Sequence, residues 1–399
     1  MTIAHRHTGF SRRLLAVEMA TDALRCSAGL LAVVVTVAAL AQEPSTPPIT
    51  GTETLEQLLA RLPEANPDIG ARRHEVEAAR QRLPQAWALP EPTLTYGFWP
   101  RQDDMAADPP DHRIGVMQGL PGPGKRALRA DRVDAEIAAA QHRLDRTTLE
   151  VSSDFRTTYY EACILERTIA ITRENLALVT QFEALARSRF RTGEALADVL
   201  KAQVEMGRIE NEALSMEALR EPLRAALNAL LGRPADAALA VPSDLPGSAL
   251  TAVVPEAFLA AASLEANPEL DEWAAQVRGA EVGVRQARRE RVPDVTLGLE
   301  YESDRPWSPN AEGSDMVFAS ISVTLPIWSR LNRSRIAEAA AQAAALREAR
   351  QGRANRLQAE WQRAVYRLRD AERRMALYEG QLLPRARQSV EVSRQAYEV

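Results

Sequence analysis

One glycine-rich stretch carries residue types that bind phosphate in other proteins. Gly119-Leu120-Pro121-Gly122-Pro123-Gly124-Lys125-Arg126 nearly spells a phosphate-binding loop, and it lies between a predicted strand and a predicted helix. Magnesium would need Ser or Thr where Arg126 stands, and Pro121 and Pro123 remove backbone N–H donors that a phosphate cradle requires. The stretch is therefore interpreted as a strand-to-helix bend.

The other residues able to do chemistry form no recognisable site. Asp103, Asp104, Asp108 and Asp111 suggest paired carboxylates or a cation site, but they fall in a polar loop and are interpreted as solvated. Cys163 has no histidine at a motif spacing and is interpreted as a small core residue. Because the sequence has only two cysteines and no pair of histidines at ligand spacing, we expect no disulfide and no structural metal. We also expect no cofactor and no catalysis.

Composition argues against one broad class of partner. The 49 basic and 54 acidic residues give a net charge of −5 and are interspersed along the chain, so there is no basic patch for nucleic acid. Aromatic residues make up only 5% of the sequence, while Ala, Arg, Glu, Gln and Leu dominate its helical parts. This composition favours long helices over a thick globular core.

The element that must position everything else runs over residues 125–192, which contain neither Gly nor Pro. A run of this length predicts one helix, which at about 1.5 Å per residue would reach about 100 Å. Residues suited to close packing recur on one narrow side at alternating four- and three-residue steps. They are Val133, Ile137, Ala140, Leu144, Thr147 and Val151. Such a helix needs partner helices, as in a coiled coil.

Residues 1–41 are predicted to be a signal peptide. Arg12, Arg13 and Arg25 precede an apolar run, and Ala39-Leu40-Ala41 fits a small-residue cleavage site. The apolar run has about thirteen residues, too few to span a bilayer as an anchor. We therefore expect export, with the mature chain beginning near Gln42.

A repeated pattern divides the rest of the chain into two related halves. Glu64-Ala65-Asn66-Pro67 supplies an N-cap followed by proline at the first helical position, and Glu265-Ala266-Asn267-Pro268 repeats it about 200 residues later. The match resumes at the heads of two long helices, where Lys125 answers Arg330. Residues 325–330 hold the place of the glycine-rich stretch without its glycines. We interpret the pattern as a duplication.

Each half is predicted to contain one β-hairpin, over residues 92–120 and 293–325, which makes four strands in all. Side chains alternate in character along the strands, so one face is apolar and the other polar. The apolar positions are Leu94, Tyr96, Phe98, Val295, Leu297 and Leu299, and the opposite positions are Thr95, Gly97, Thr296, Gly298 and Glu300. Four strands cannot close a barrel and lipid does not tolerate open sheet edges, so a membrane sheet would need hairpins from several chains.

The predicted fold is mainly α with a small β part. Its segments are a leader with a short helix (42–63), a first half (64–234) with a long helix (125–192) and a return helix (194–231), a linker (235–264), and a second half (265–399) with a long helix (330–399). Pro384 predicts a bend in the second long helix. The second half is expected to stop before its own return helix.

In this order, the features resemble the TolC-like outer-membrane efflux proteins. The resemblance covers nearly the whole chain after residue 41 and rests on an ordered set of motifs. They are the Asn66-Pro67 and Asn267-Pro268 helix starts, the glycine-rich stretch ending at Arg126, Arg191-Thr192-Gly193, Asp198-Val199-Leu200-Lys201-Ala202-Gln203 and Leu230-Leu231-Gly232. The segment from Gln118 to Arg126 is most similar to the heavy-metal branch of the family, the cobalt/zinc/cadmium and copper/silver exporters.

The resemblance implies a homotrimer in the outer membrane of a Gram-negative bacterium. Its chains would share one β-barrel of about 12 strands, with the apolar positions toward lipid and the polar positions toward the lumen, above a periplasmic tunnel of α-helices. It also implies that the helix turn farthest from the strands is a periplasmic tip that contacts an adaptor. The tip residues are Arg191, Gly193, Leu196 and Asp198. At the opposite end of the long helices, the strand-to-helix bend would lie at the membrane edge. Its basic residues Lys125, Arg126 and Arg330 are predicted to face lipid headgroups or the barrel rim.

The implied function is passive export of heavy-metal ions or drugs through the outer-membrane channel of a tripartite efflux system. Its partners would be a periplasmic adaptor protein and an inner-membrane pump of the RND type. Two alternatives stay open, the exit duct of a type I protein secretion system and a soluble periplasmic coiled-coil scaffold or adaptor. The identity of the neighbouring genes would distinguish an efflux channel from a secretion duct. Solubility of the purified protein without detergent would indicate the soluble scaffold.

Overall fold

The computed structural model describes residues 54–98, 112–193, 195–242, 266–303 and 315–398. Over these ranges the chain is mainly helical with one small antiparallel sheet, which confirms the predicted fold class. The predicted signal peptide, most of the leader and most of the linker lie outside the described residues. So do the four loop aspartates, Asp103, Asp104, Asp108 and Asp111.

Three short helices open the described chain, α1 (Leu55–Ala65), α2 (Pro67–Arg80) and α3 (Arg82–Trp87). A capping box starts α1, because the Thr54 hydroxyl accepts from the backbone N–H of Gln57 and the Gln57 side chain accepts from that of Thr54. Asn66 caps α2 and donates its side-chain amide to the carbonyl of Leu230 at 2.8 Å. Helix α2 ends at Arg80 and α3 begins at Arg82, because Pro84 has no N–H to donate to the carbonyl of Arg80.

The sheet contains β1 (Thr93–Phe98), β2 (His112–Leu120), β3 (Val295–Ser303) and β4 (Asp315–Val323). Its strand order is β1-β2-β3-β4, and all neighbours are antiparallel. Pairing of β2 with β3, in which Gly115 lies opposite Glu300, joins the two halves of the chain. The sheet is therefore a single surface built from both hairpins.

Helix α4 (Lys125–Arg191) is continuous over 67 residues. Around its middle, Phe155, Tyr159 and Cys163 are fully buried together with Leu58 of α1 and other apolar side chains. Each such large side chain contributes about 1.5–3 kcal/mol by leaving water. Burial also raises the pKa of the Cys163 thiol, which is a core residue as predicted. The largest fully buried side chains of α4 thus lie near its middle, away from the sheet.

The chain reverses at Gly193, whose φ of +111° favours glycine, and returns as α5 (Leu196–Ala218) and α6 (Arg220–Leu230). The predicted return helix therefore divides at Leu219. Pro222 explains the division, because it has no N–H for the carbonyl of residue 218, whereas Gly207 lies within an unbroken helix.

The second half begins with α7 (Pro268–Arg289) and continues after the sheet as α8 (Ser329–Leu377), a π-helical turn (Tyr378–Leu382) and α9 (Leu383–Glu398). The π-helical turn occurs where a bend was predicted, since Pro384 cannot donate to the carbonyl of Gly380. Helices α2, α4, α7 and α8 contact one another in that order and form a row.

Candidate functional site

The register of the sheet brings the predicted apolar positions of both hairpins onto one face. Leu94 pairs with Val116, Val116 with Leu299, and Leu299 with Ala319, and paired residues of antiparallel strands share a face. Many large side chains on this face are exposed, Leu94 by 68% of its surface. They are Leu94, Tyr96, Phe98, Ile114, Val116, Leu297, Leu299, Tyr301, Val317, Ile321 and Val323. An exposed apolar surface of this extent marks an interaction site.

The predicted polar positions share the opposite face. Thr95 pairs with Gly115 and through it with Glu300, while Thr296 lies between Gly119 and Ser322. The predicted glycines Gly97 and Gly298 belong to the same set. Strand β4 is less regular, because Met316 and Phe318 also occupy this face.

A charge cluster that the sequence did not reveal lies on the polar face. The Arg113 guanidinium is 3.0 Å from the Glu300 carboxylate, and it also pairs with Glu302, which is buried. The three residues come from β2 and β3, so their meeting depends on the pairing of the two hairpins. The polar face thus carries paired charges between chain halves.

A buried lysine joins the end of the first hairpin to the start of the second. Lys125 is only 5% exposed, and its Nζ lies 2.9 Å from Oδ1 of Asp294 and 3.3 Å from Oε2 of Glu290. The same Asp294 oxygen accepts from the Gly122 N–H at 2.6 Å. Partial burial acts to raise the pKa of Asp294, but these hydrogen bonds and the nearby positive charges outweigh it, so that pKa lies below its ordinary value.

This geometry corrects one prediction about the glycine-rich stretch. Lys125 does not face outward to headgroups or a rim, because its ammonium is turned inward to Asp294 and Glu290. Arg126 donates to the carbonyl of Trp87 at 3.1 Å, and Arg330 is exposed. The loop does hold an anion, but it is a carboxylate of the same chain rather than a phosphate. The interpretation of the stretch as a strand-to-helix bend agrees with the helix start at Lys125.

A chain of ion pairs fixes α7 between the two long helices. Arg353 of α8 donates to Glu269 through two hydrogen bonds of 2.6 and 2.8 Å, and these lower the pKa of Glu269 against the opposing effect of burial. Arg143 of α4 donates to the buried Glu272 at 2.9 Å, and Arg146 lies 3.6 Å from the same carboxylate. Both glutamates stand near the N-terminus of α7, where the helix dipole favours negative charge.

The four predicted tip residues surround the turn between α4 and α5. Arg191 ends α4, Gly193 makes the turn and Leu196 begins α5, in whose first turn Asp198 accepts from Lys201 at 3.2 Å. An apolar stripe continues from Leu196, because Leu200 and Val204 follow at four-residue steps and all three are exposed. We call Leu196, Leu200 and Val204 the tip stripe.

A largely buried glutamate ties the two helices together close to the tip. Glu183 of α4 accepts from Arg187 at 3.1 Å and from Gln203 of α5 at 3.0 Å. These hydrogen bonds hold the pKa of Glu183 below its ordinary value. Its role was not predicted, since an isolated Glu in a charged helix gives no local signal.

Of the helices in the described ranges, none is both long enough and apolar enough to traverse a bilayer. The same ranges contain no group of three or more His, Cys, Asp or Glu residues placed to hold a metal ion.

Comparison with known proteins identifies related folds. Residues 259–399 match the outer membrane efflux protein family. The outer membrane protein VceC of Vibrio cholerae is similar with a TM-score of 0.70 at 18% identity, over 86% of this chain and 85% of VceC. The channel-forming protein CusC gives 0.72 at 15% identity, over 90% and 85% of the two chains. The outer membrane channel MtrE of Neisseria gonorrhoeae gives 0.64 at 16% identity, over 86% and 78%.

No curated protein matches the chain. At these identities the structural likeness shows the fold, which is TolC-like, in agreement with the predicted resemblance. The matched family model is that of outer membrane efflux proteins, VceC is an outer membrane protein and MtrE is an outer membrane channel.

Proposed function

We propose that this chain, whose residues 259–399 belong to the outer membrane efflux protein family and whose fold is TolC-like, is the outer-membrane channel of a tripartite efflux system. Three copies pool their four-stranded sheets into one barrel of about 12 strands, and the helices form the periplasmic tunnel. Transport is passive, with energy supplied by an inner-membrane pump of the RND type that is reached through a periplasmic adaptor.

The observation that carries this proposal is the two-faced sheet. Its apolar face exposes large side chains, as lipid contact requires, while its opposite face holds Arg113 paired with Glu300 and Glu302. Charges at membrane depth are costly unless they are paired or face water. The apolar set from Leu94 to Leu299 therefore faces lipid, and the polar set from Thr95 to Glu300 faces the lumen.

The sheet edges support the sharing of strands between copies. Strands β1 and β4 are the two ends of the strand order, so each has one paired side within the chain. An unpaired edge leaves backbone N–H and C=O groups without partners, which the hydrocarbon layer does not tolerate. Continuation of the sheet into neighbouring copies satisfies both edges.

The tip stripe supports contact with an adaptor. Leu196, Leu200 and Val204 form an exposed apolar line on α5, next to the turn at Gly193. Apolar residues at four-residue steps on a helix suit packing against another helix. The helical tunnel opens at this tip. The cargo, heavy-metal ions or drugs, passes from the pump into the tunnel there.

Reconstitution tests the proposal. The purified full chain is expected to require detergent and to produce stepwise ohmic currents in planar lipid bilayers. Deletion of the gene should raise sensitivity to copper, zinc, cadmium or cobalt ions or to drugs, and the wild-type gene should restore tolerance. A detergent-free soluble protein without conductance would overturn the proposal. Unchanged tolerance together with loss of one secreted protein would instead identify the exit duct of a type I secretion system.

A further inference from the structure

We infer that a cleft between the start of α4 and the end of α7 binds a phosphate group, carried by a phospholipid headgroup or present as free phosphate. The cleft has a volume of about 330 Å³. Its charged and polar lining residues are Lys125, Arg129, Arg132, Gln286, Arg289 and Glu290. We call it the arginine cleft. The inference rests on the proposed function, because a lipid headgroup can reach the cleft only if the sheet lies in a membrane.

Basic side chains outnumber acidic ones by four to one in the arginine cleft. The larger cleft between α4, α7 and α8 is different, because its four arginines are accompanied by three acidic residues. In that cleft Arg347 lies 2.6 Å from Glu281, and Arg285 lies 3.6 Å from Asp131. Of the two clefts, the arginine cleft therefore has the larger excess of positive charge, as a phosphate site requires.

Two of the four basic groups in the arginine cleft already have carboxylate partners. The ammonium of Lys125 is held by Asp294 and Glu290. The guanidinium of Arg132 lies 3.3 Å from Glu136, one turn further along the same helix. These two charges are compensated within the chain and have little need of a further anion.

The other two basic groups, Arg129 of α4 and Arg289 of α7, are not compensated in this way. Among the residues that the structure describes, neither guanidinium forms an ion pair with a carboxylate. Arg289 donates through Nε to the carbonyl of Pro123 at 2.8 Å, which fixes its guanidinium at the glycine-rich bend. Two like charges that share a small cleft repel each other, and an anion between them turns this repulsion into attraction.

The arginine cleft lies close to the ends of the strands. Leu120, the last residue of β2, pairs with Val295, the first residue of β3. Lys125 follows soon after Leu120, and Arg289 comes soon before Val295. Strands of nine residues, tilted as in outer-membrane barrels, rise by about 20–25 Å, close to the height of the apolar band of such barrels. A cleft just beyond the strand ends is therefore at the depth of the headgroups.

The chemistry of the cleft suits a phosphate group. A guanidinium presents a planar fork of N–H donors that can bind two phosphate oxygens at once. Basic pockets between helices at a membrane surface bind lipid headgroups by the same chemistry. The donors come from side chains of two helices, and the backbone of the glycine-rich stretch is not needed. Arg129 and Arg289 thus take the headgroup role that the sequence assigned to Lys125.

Native mass spectrometry of the purified full chain in detergent tests the site. The probes are dioleoyl phosphatidylglycerol and dioleoylglycerol, which has the same acyl chains and no phosphate. We expect each copy of the chain to retain one phosphatidylglycerol in preference to dioleoylglycerol. Arg129→Gln should weaken this retention about tenfold, because charge-assisted hydrogen bonds to the phosphate are lost. Arg129→Lys keeps the charge and should retain more lipid than Arg129→Gln.

Two further variants make the result specific. Arg288→Gln is the matched control, because Arg288 is the next residue to Arg289 but lines the larger cleft. It removes the same charge and should leave retention of phosphatidylglycerol unchanged. Glu290→Gln removes the negative charge from the lining and should strengthen retention, a result that a misfolded variant could not give. Equal losses in Arg129→Gln and Arg288→Gln would show general attraction to a basic surface and overturn the site.

Inorganic phosphate distinguishes the two sources of the ligand. Isothermal titration calorimetry compares sodium phosphate with sodium chloride at equal ionic strength. Binding of inorganic phosphate that Arg129→Gln weakens, without retention of phosphatidylglycerol, would identify free phosphate as the ligand. Retention of phosphatidylglycerol alone would identify the headgroup, and binding of both probes would show that the phosphate itself supplies the affinity. Binding of neither probe would overturn the inference.

The outcomes also separate this inference from the proposed function. Conductance of the wild-type protein in planar bilayers, without binding of either phosphate probe, would overturn the site and leave the channel proposal standing. Binding that Arg129→Gln weakens, in a protein without conductance, would support the site and overturn the channel.

Discussion

The ammonium of Lys125 lies 2.9 Å from the carboxylate of Asp294, across the junction between the two hairpins. Lys125 begins the long helix of the first half, and Asp294 precedes the first strand of the second half. One ion pair therefore attaches a helix of one repeat to a strand of the other. Because the ammonium is buried, it depends on this carboxylate for compensation of its charge.

Removal of that charge should destabilise the protein. Asp294→Asn is expected to lower the free energy of unfolding by about 1–2 kcal/mol, less than for a fully buried pair because Asp294 is partly exposed and Glu290 remains. Thermal unfolding followed by circular dichroism in detergent measures the loss. The control is Asp131→Asn, whose pair with Arg285 is exposed at 3.6 Å and should matter by less than about 0.5 kcal/mol. Equal effects of the two variants would contradict the prediction.

The backbone approach at Gly122 leads to a second prediction. Gly122→Ala would place a Cβ 2.6 Å from the Pro293 carbonyl oxygen, so we expect a destabilisation of about 1–3 kcal/mol from overpacking. Gly119→Ala is the matched control in the same stretch, because its Cβ would meet only the Pro90 side chain at 3.7 Å. The measurement is the thermal unfolding midpoint of the two variants. A Gly122→Ala variant as stable as Gly119→Ala would show that the junction is not tightly packed.

The ion pair between Glu269 and Arg353 predicts a loss of stability in acid. Since the pKa of Glu269 is lowered on folding, its contribution is present above the ordinary Glu value and is lost as pH falls below about 4 through the folded pKa. We expect wild type to exceed Glu269→Gln in stability by about 1–2 kcal/mol between pH 5 and 7, and the difference to shrink at lower pH. The measurement is the thermal unfolding midpoint of both proteins from pH 7 down to strong acid. A difference that persists unchanged in strong acid would rule out the pair as its source.

The assignment of sheet faces predicts opposite results at adjacent residues. Leu297→Arg would place a charge on the lipid face, at a cost of about 2–4 kcal/mol near the bilayer midplane, whereas Thr296→Arg on the lumen face should be tolerated. The amount of assembled protein in outer-membrane extracts is the readout. Greater loss from Thr296→Arg than from Leu297→Arg would reverse the assignment.

The tip stripe can be tested without disturbing the fold, because Leu200 is 52% exposed. Leu200→Glu is expected to weaken adaptor binding about tenfold, since it puts a charge into an apolar contact. Lys201→Glu places the same side chain on the next residue and a different side of α5, so it should have a smaller effect. Binding of the purified adaptor and metal or drug tolerance are the measurements. Loss of tolerance with normal adaptor binding would place the defect elsewhere.

The elements and sheet faces could be predicted because their signals are local. Uninterrupted helix-forming residues predict α4 whatever surrounds it, and alternation at every second residue assigns Leu297 and Thr296 to opposite faces of a strand. Proline effects are local as well. The return helix divides at Leu219, three residues before Pro222, because the missing N–H of a proline leaves a carbonyl one turn earlier without its helical partner.

The sequence by itself therefore determined the helices, the hairpins, the duplication and the two-faced character of the strands. Only the tertiary structure decided which charges meet. Gly122 and Asp294 are 172 residues apart, and the Thr that holds the place of Asp294 in the first half has no charge, so the duplication does not reveal this contact. Lys125 looked like a residue for headgroups until pairing of β2 with β3 brought a carboxylate to it. Local periodicity sets which side a residue faces, whereas its partner depends on how the two halves pack.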